Sequence, residues 1–281
     1  MVYETRMAAF EKERAIAEAA AREAGAIVKH YYDKPIEQVA KSDKGAGRDE
    51  NWLTQADSES DELLKKRLLG AFPDDGWLSE ETADSGERLA KSRVWIVDPL
   101  DGTREFTLHV PEYCVCVALV ENGRPVVGVE YNPATDRLYS ASLGGGTTMN
   151  GQPAHVSKTE HVALAQVLAS RSEDKRGEWD PFKQYCHVVL TGSVAFKLAE
   201  LSVGNGDATF TLTPKNEWDI CAGTILVEEA GGKVTGLDGN PLVFNQKSPL
   251  RPGMIASNRV LHPGLLTLIE AHGGEIKQKQ R

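Results

Sequence analysis

Apolar positions recur at helical spacing over residues 5–33, where Ile16, Ala20, Ile27 and Tyr31 mark one face. The pattern breaks at 41–51, a polar run containing two glycines that reads as a mobile loop. A second helix follows, with Asp57 placed to cap it, Leu63, Leu64 and Leu68 on its buried side, and Pro73 closing it. Strand-like runs are predicted at 94–97, 113–120, 126–132 and 137–142, joined by turns such as Glu121-Asn122-Gly123 and Asn132-Pro133. Asn150-Gly151 is a further hairpin signal. Beyond it, strands at 166–170, 187–191 and 207–212 alternate with helices at 193–203 and 219–230. That rhythm predicts an α/β layer after an α+β first half. There is no internal repeat, and the tail 278–281 reads as disordered.

The run Val94-Trp95-Ile96-Val97 leads into Asp98-Pro99-Leu100-Asp101-Gly102-Thr103, where a turn is expected. Asp98 and Asp101 are close enough to repel unless a cation sits between them. Hard oxygen donors favour Mg²⁺ or a similar ion, and a hydroxyl beside such an ion suggests hydrolysis of a phosphate ester. Taken alone, the pair reads as a solvated turn. Two further acidic clusters, Glu80-Glu81 and Glu217-Trp218-Asp219, each at the edge of an apolar element, change that reading.

Composition adds limits. The chain has 281 residues, 41% of them hydrophobic and 26% charged, enough for one large domain or two packed subdomains. A formal net charge of −9 argues against a broad nucleic-acid or membrane surface, though bound cations can invert the local sign of an acidic pocket. No apolar run approaches the ~20 residues that span a bilayer. The four cysteines (Cys114, Cys116, Cys186, Cys221) form no C-x-x-C pair, so reduced structural thiols and a cytoplasmic location are expected. The glycines at 144–146 lack the lysine of a P-loop, and Gly192-Ser193 lacks the second glycine of a nucleophile elbow.

Four segments in order resemble the inositol monophosphatase superfamily of Mg²⁺-dependent, lithium-sensitive phosphomonoesterases. They are Leu78-Ser79-Glu80-Glu81-Thr82, the Asp98 to Thr103 run, Asn150-Gly151-Gln152, and Glu217-Trp218-Asp219-Ile220-Cys221-Ala222-Gly223 with its continuation Leu226 to Gly232. The resemblance covers about residues 10 to 270 and implies a layered αβαβα, sugar-phosphatase-like fold, with an antiparallel sheet first and a mixed sheet second. A division into an α+β subdomain, 1–145, and an α/β subdomain, 146–281, is expected; the first would carry most metal ligands and the second the last ligand and substrate-side residues. The resemblance further implies that Glu80, Asp98, Asp101 and the Leu100 carbonyl hold one metal, and that Asp98, Asp101 and Asp219 share a second. Mg²⁺ would be the cofactor, two or three per site, with Mn²⁺ a substitute and Li⁺ and Ca²⁺ inhibitory.

Thr103 resembles the family hydroxyl that orients the attacking water with an acidic partner, here Asp57. Asp57, Glu80 and Thr103 are thus the catalytic candidates. Asp101, Gly102, Thr103, Gly192, Ser193 and Asp219 are the substrate-side candidates, the backbone at 102–103 facing phosphate oxygens. Glu81 reads equally as a solvated residue or as a group that tunes Glu80 or binds an additional metal. Lys197, Arg104 and Glu105 read as surface or supporting residues, and Trp218 as an anchor aiming Asp219.

Several details resemble the CysQ-type 3′(2′),5′-bisphosphate nucleotidase branch, which acts on 3′-phosphoadenosine 5′-phosphate. These are Leu78-Ser79-Glu80-Glu81, Leu100 with Arg104-Glu105-Phe106, Ser170-Arg171-Ser172, and the ending Glu217-Trp218-Asp219. Phe210-Thr211-Leu212 supplies no carboxylate where inositol phosphatases place one. Residues 113–120, the Asn150-Gly151-Gln152 turn and the spacing after Gly192 fit inositol-1-phosphate phosphatases equally, and fructose 1,6-bisphosphate is a further candidate substrate. A regulatory binding protein on the same scaffold is the non-enzyme alternative. The expected partner is a small phosphorylated metabolite, without nucleic-acid polymer or membrane, for a monomer or homodimer.

Overall fold

The structure, a computed structural model, describes residues 10–32, 39–40, 52–53 and 55–279. The loop expected at 41–51, the start of the first helix at 5–9 and residues 280–281 of the tail lie outside the described residues. Helix α1 (Glu11–Tyr32) buries Ala17, Ala20, Ala21, Ala24 and Val28, a stripe of small residues that lets a helix lie close to its neighbours. Helix α2 (Gln55–Ala71) contributes Ala56, Leu64 and Leu68 to the same cluster. Asp57 is therefore inside the first helical turn and not the residue that precedes it; the helix starts two residues earlier than its expected cap.

Seven strands form the first sheet in sequential order: β1 (Gly76–Ser79), β2 (Arg93–Asp101), β3 (Cys114–Glu121), β4 (Arg124–Asn132), β5 (Arg137–Ser142), β6 (Gly146–Met149) and β7 (Gln152–Ala154). Strands β1 and β2 run parallel; the others pair antiparallel. Antiparallel strands often alternate polar and apolar residues, yet β3 is apolar throughout its buried length, because both faces of the sheet are covered. Val115, Val117 and Leu119 point toward α1 and α2, whereas Cys114, Cys116, Ala118 and Val120 join the opposite core. The hairpin signals hold at Asn122-Gly123 and Asn150-Gly151, each with both residues at positive φ. The sheet continues through Ala154, past residue 145.

That opposite core is filled by α5 (Val194–Ser202) and α6 (Glu217–Glu229), which follow α3 (Thr103–Thr107) and α4 (Arg171–Lys175) in the chain. Beyond them lies a mixed second sheet of β8 (Gln166–Ala169), β9 (His187–Leu190), β10 (Ala208–Thr211), β11 (Gly232–Thr235) and β12 (Met254–Asn258), in the order β9-β8-β10-β12-β11. Strand β8 pairs parallel with β9 and β10; β12 pairs antiparallel with β10 and β11. Helix α7 (His262–Lys279) covers the outer face through Leu265 and Ile269. The layers are α1/α2, first sheet, α5/α6, second sheet and α7: the expected αβαβα order. All four cysteines are free and buried. No helix among the described residues is long and apolar enough to cross a membrane.

Candidate metal centre and active site

The turn expected at Asp98 is instead the end of β2, which runs on through Asp101. Asp98 pairs with Cys116 and Asp101 with Cys114, so three steps on β2 match two on β3. Residues three apart on a regular strand point to opposite faces; the extra residue in this bulge puts both aspartates on one face. It is the face of Cys114 and Cys116, toward α5 and α6. Pro99 is tolerated there because the ladder is already interrupted.

Glu80 arrives by register. Parallel pairing sets Ser79 opposite Val97, and the Glu80 N–H donates to the Val97 carbonyl (3.3 Å), which brings Glu80 level with Asp98. Leu78 and Ile96, two residues earlier on each strand, belong to the core on that same side. Asp219 enters from α6, where it occupies the first turn and accepts the Asn216 N–H at Oδ2 (3.1 Å). Carboxylate oxygens of Glu80, Asp98 and Asp219 lie within 4.8 Å of one another, a spacing that could hold a metal ion.

The donor set fits a hard divalent cation. The Leu100 N–H satisfies Asp98 Oδ1 (2.9 Å), while Oδ2 is buried without a hydrogen-bond partner. A buried lone carboxylate oxygen among other carboxylates is costly unless positive charge is supplied. Burial, then the charges of Glu80, Asp101, Asp219 and Asp57, push the Asp98 carboxyl well above the usual range. Burial, with Asp101 and Glu80, does the same to Asp219.

Asp101 stands outside the 4.8 Å group. Its Oδ2 accepts the Ser193 hydroxyl and the Ala195 N–H (2.8 Å), which joins β2 to the start of α5. Burial raises its pKa against those bonds and the charge of Lys197. The Thr103 hydroxyl donates to the Leu100 carbonyl (3.1 Å), so the proposed water-orienting group and the proposed backbone ligand are in contact. Asp57 is 2% exposed and close enough for its charge to act on Asp98.

Gly102 and Gly192 make the close packing here possible. Gly102 has φ 93°, and a β-carbon on it would sit 2.9 Å from the Glu112 carbonyl and 3.0 Å from Ser193 Cβ. A β-carbon on Gly192 would sit 2.3 Å from Glu105 Cγ. Ser193 itself holds φ 47°, unusual for a residue with a side chain, and caps α5 by accepting the Phe196 N–H at 2.9 Å.

Two sequence assignments change. Glu217, grouped with Asp219 by sequence, is fully buried and accepts the Asn245 (2.6 Å) and Gln246 (3.0 Å) N–H groups; it pins the 244–246 loop. Lys197, read as surface or supporting, is 5% exposed and lies beside the site. Its charge acts on Asp101, Glu105 and Glu112. Position four after Ser193 on one helix face was the signal available for it. Arg104 is exposed and Glu105 and Glu81 half-buried. Trp218 packs against the core beside Asp219, as expected of an anchor.

Residues 10–273 match the inositol monophosphatase family. An inositol-1-monophosphatase of Mesorhizobium japonicum is 32% identical over 243 residues, covering 84% of this chain and 88% of that protein. The Arabidopsis thaliana protein "Phosphatase IMPL1, chloroplastic" is 33% identical over 200 residues, 66% of this chain, which spans only 52% of that protein's length. A solved structure of inositol monophosphatase from Anabaena (Nostoc) sp. PCC 7120 superimposes with a TM-score of 0.77 at 28% identity, over 93% of this chain and 96% of that one. The acids at the ends of β1 and β2 and the start of α6 thus lie on a shared fold, and the chain belongs to the inositol monophosphatase family.

Proposed function

We propose that this protein is a divalent-cation-dependent phosphomonoesterase, and that its substrate is a small phosphorylated metabolite of the 3′-phosphoadenosine 5′-phosphate type. One observation carries the metal dependence: Glu80, Asp98 and Asp219 converge within 4.8 Å, with an unpartnered Asp98 oxygen among them. These three, with Asp101 and the Leu100 carbonyl, would hold Mg²⁺. Such ions neutralise phosphate charge and lower the pKa of water.

The chain's own residues then have distinct tasks. Thr103 Oγ1 and the Asp57 carboxylate orient the attacking water. The N–H groups of the first turn of α3, which helix geometry leaves without intrahelical acceptors, face the phosphate oxygens. Ser193, by fixing Asp101, sets the distance between β2 and the α5 side of the pocket. Positioning and charge stabilisation supply most of the rate in such chemistry, so no covalent enzyme intermediate is required.

The nucleotide reading rests on the segment before Asp219. Phe210 and Thr211 are buried, and half-buried Leu212 packs in the outer core, so this stretch presents no carboxylate to a ring of hydroxyls. A second reading, inositol 1-phosphate, is favoured by the name of the Mesorhizobium relative. Phosphate release with Mg²⁺ from adenosine 3′,5′-bisphosphate, inositol 1-phosphate and fructose 1,6-bisphosphate separates them. The highest kcat/KM is expected on the adenosine bisphosphate. Release from none of the three would overturn the phosphatase reading; preference for inositol 1-phosphate would overturn the nucleotide assignment.

A further inference from the structure

Alternation along β1 divides its side chains between the two faces of the first sheet. Leu78 joins the core on the α5/α6 side and Trp77 packs on the α1/α2 side, so Ser79 faces α2 while Glu80 returns to the metal centre. Strand pairing ends with Ser79 opposite Val97, and the chain then bends through residues 80–82. Glu80 therefore stands on the last backbone bond of the strand, its N–H to the Val97 carbonyl (3.3 Å). A ligand at the loose end of a ladder needs a further hold if its carboxylate is to stay in place.

Asp61 supplies that hold from α2. It is 6% exposed, and its two oxygens go to the hydroxyls on either side of Glu80-Glu81: Oδ1 accepts from Ser79 and Oδ2 from Thr82 (2.6 Å). Each hydroxyl, its proton given to Asp61, accepts an N–H in turn. Ser79 Oγ takes the Glu81 N–H (3.3 Å) and Thr82 Oγ1 the Trp77 indole N–H (3.4 Å). Both arms thus run in one direction, from N–H through hydroxyl to carboxylate, and only a group with two acceptors can close them. Burying a further charge beside these acids is costly, and an apolar side chain would pack α2 here more cheaply. Asp61 also lies one helical turn after Asp57, so one face of α2 carries the proposed water-orienting acid and this clamp.

We propose that Asp61 is a positioning residue: by clamping Ser79 and Thr82 to α2, it holds Glu80 at the metal centre and fixes its distance from Asp57. The proposal rests on the divalent-cation reading above and adds a residue to it. Groups that only orient the ligands of a metal typically cost about 10- to 100-fold in metal affinity when they are changed.

The test measures Mg²⁺ affinity by calorimetry on the substrate-free protein, and phosphate release at saturating Mg²⁺. Asp61→Asn replaces one acceptor by a donor, Thr82→Val removes one arm at nearly constant volume, and Thr82→Ser keeps that arm. Asp61→Asn and Thr82→Val should bind Mg²⁺ roughly tenfold more weakly and lose kcat with little change in KM for the ester. Thr82→Ser should keep the wild-type affinity. Wild-type Mg²⁺ affinity in folded Asp61→Asn and Thr82→Val, whatever their unfolding midpoints, would reduce Asp61 to a packing contact and overturn the proposal. If Asp61→Asn does not fold, the change at half-buried Thr82 decides alone. A wild type that binds Mg²⁺ but cleaves no ester sinks the phosphatase reading only, and the affinity comparison still decides the clamp. One that binds no Mg²⁺ overturns both.

Discussion

The Ser193 hydroxyl donates to Asp101 Oδ2 across 92 residues of sequence, and it ties the end of β2 in the first sheet to the start of α5. The same oxygen of Ser193 caps α5, so one side chain serves the helix and an acid of the active site.

Ser193→Ala removes both interactions. It should cost about 1–2 kcal/mol of stability, the usual loss of a helix cap, and lower kcat more than it raises KM. Urea unfolding and steady-state phosphate release check the two effects. An unchanged kcat would mean that Asp101 keeps its position without Ser193.

Gly102→Ala forces a β-carbon into a residue at φ 93° and into the Glu112 carbonyl at 2.9 Å. The backbone penalty alone is about 1–3 kcal/mol. The segment must shift, and α3 with it, so both stability and phosphate release should drop. Gly86→Ala, at φ 79° with open space around it, is the control: it should lose stability only.

Much of this site was legible in the sequence, and the gaps have physical causes. Glu80, Asp98 and Asp219 stand out because acids at the ends of apolar runs need a reason to be there. Glu217 passes the same test and has a different reason, since the loop amides it holds at Asn245 and Gln246 are remote in sequence. The bulge at Pro99 and Leu100 was read as a turn, because proline signals both and only the partner strand tells them apart. Strand β12 went unread, although Met254-Ile255-Ala256 is apolar and follows Gly253. It is short and central, buried on both faces, and so lacks the alternation that marks a half-buried strand. Lys197 was read as a surface or supporting residue because charge is normally solvated; its burial beside Glu173, Lys215, Asp101 and Glu105 brings together groups remote from it in sequence.

His262 gives a pH prediction remote from the metal centre. Its ring lies between the hydroxyls of Thr235 (3.0 Å) and Ser257 (2.9 Å), and burial lowers its pKa from 6.5 to about 4. The unfolded chain therefore takes up the proton first as pH falls. Stability from the neutral ring is complete above about pH 6.5 and is lost progressively down to about pH 4. In His262→Gln the denaturation midpoint should fall less steeply than the wild type's across that window. Parallel curves would contradict the assignment.

If repelling carboxylates on three elements meet to bind divalent cations, Asp98→Asn must weaken the response of the protein to those ions. Thermal unfolding of wild type and variant, with and without Mg²⁺, is the measurement. Without the ion the variant should be more stable, on the order of 1–3 kcal/mol, because a buried and repelled charge is gone. Addition of Mg²⁺ should raise the wild-type midpoint and leave the variant nearly unmoved. A variant that responds to Mg²⁺ as strongly as the wild type, or a wild type that does not respond, would mean that these carboxylates do not hold the ion.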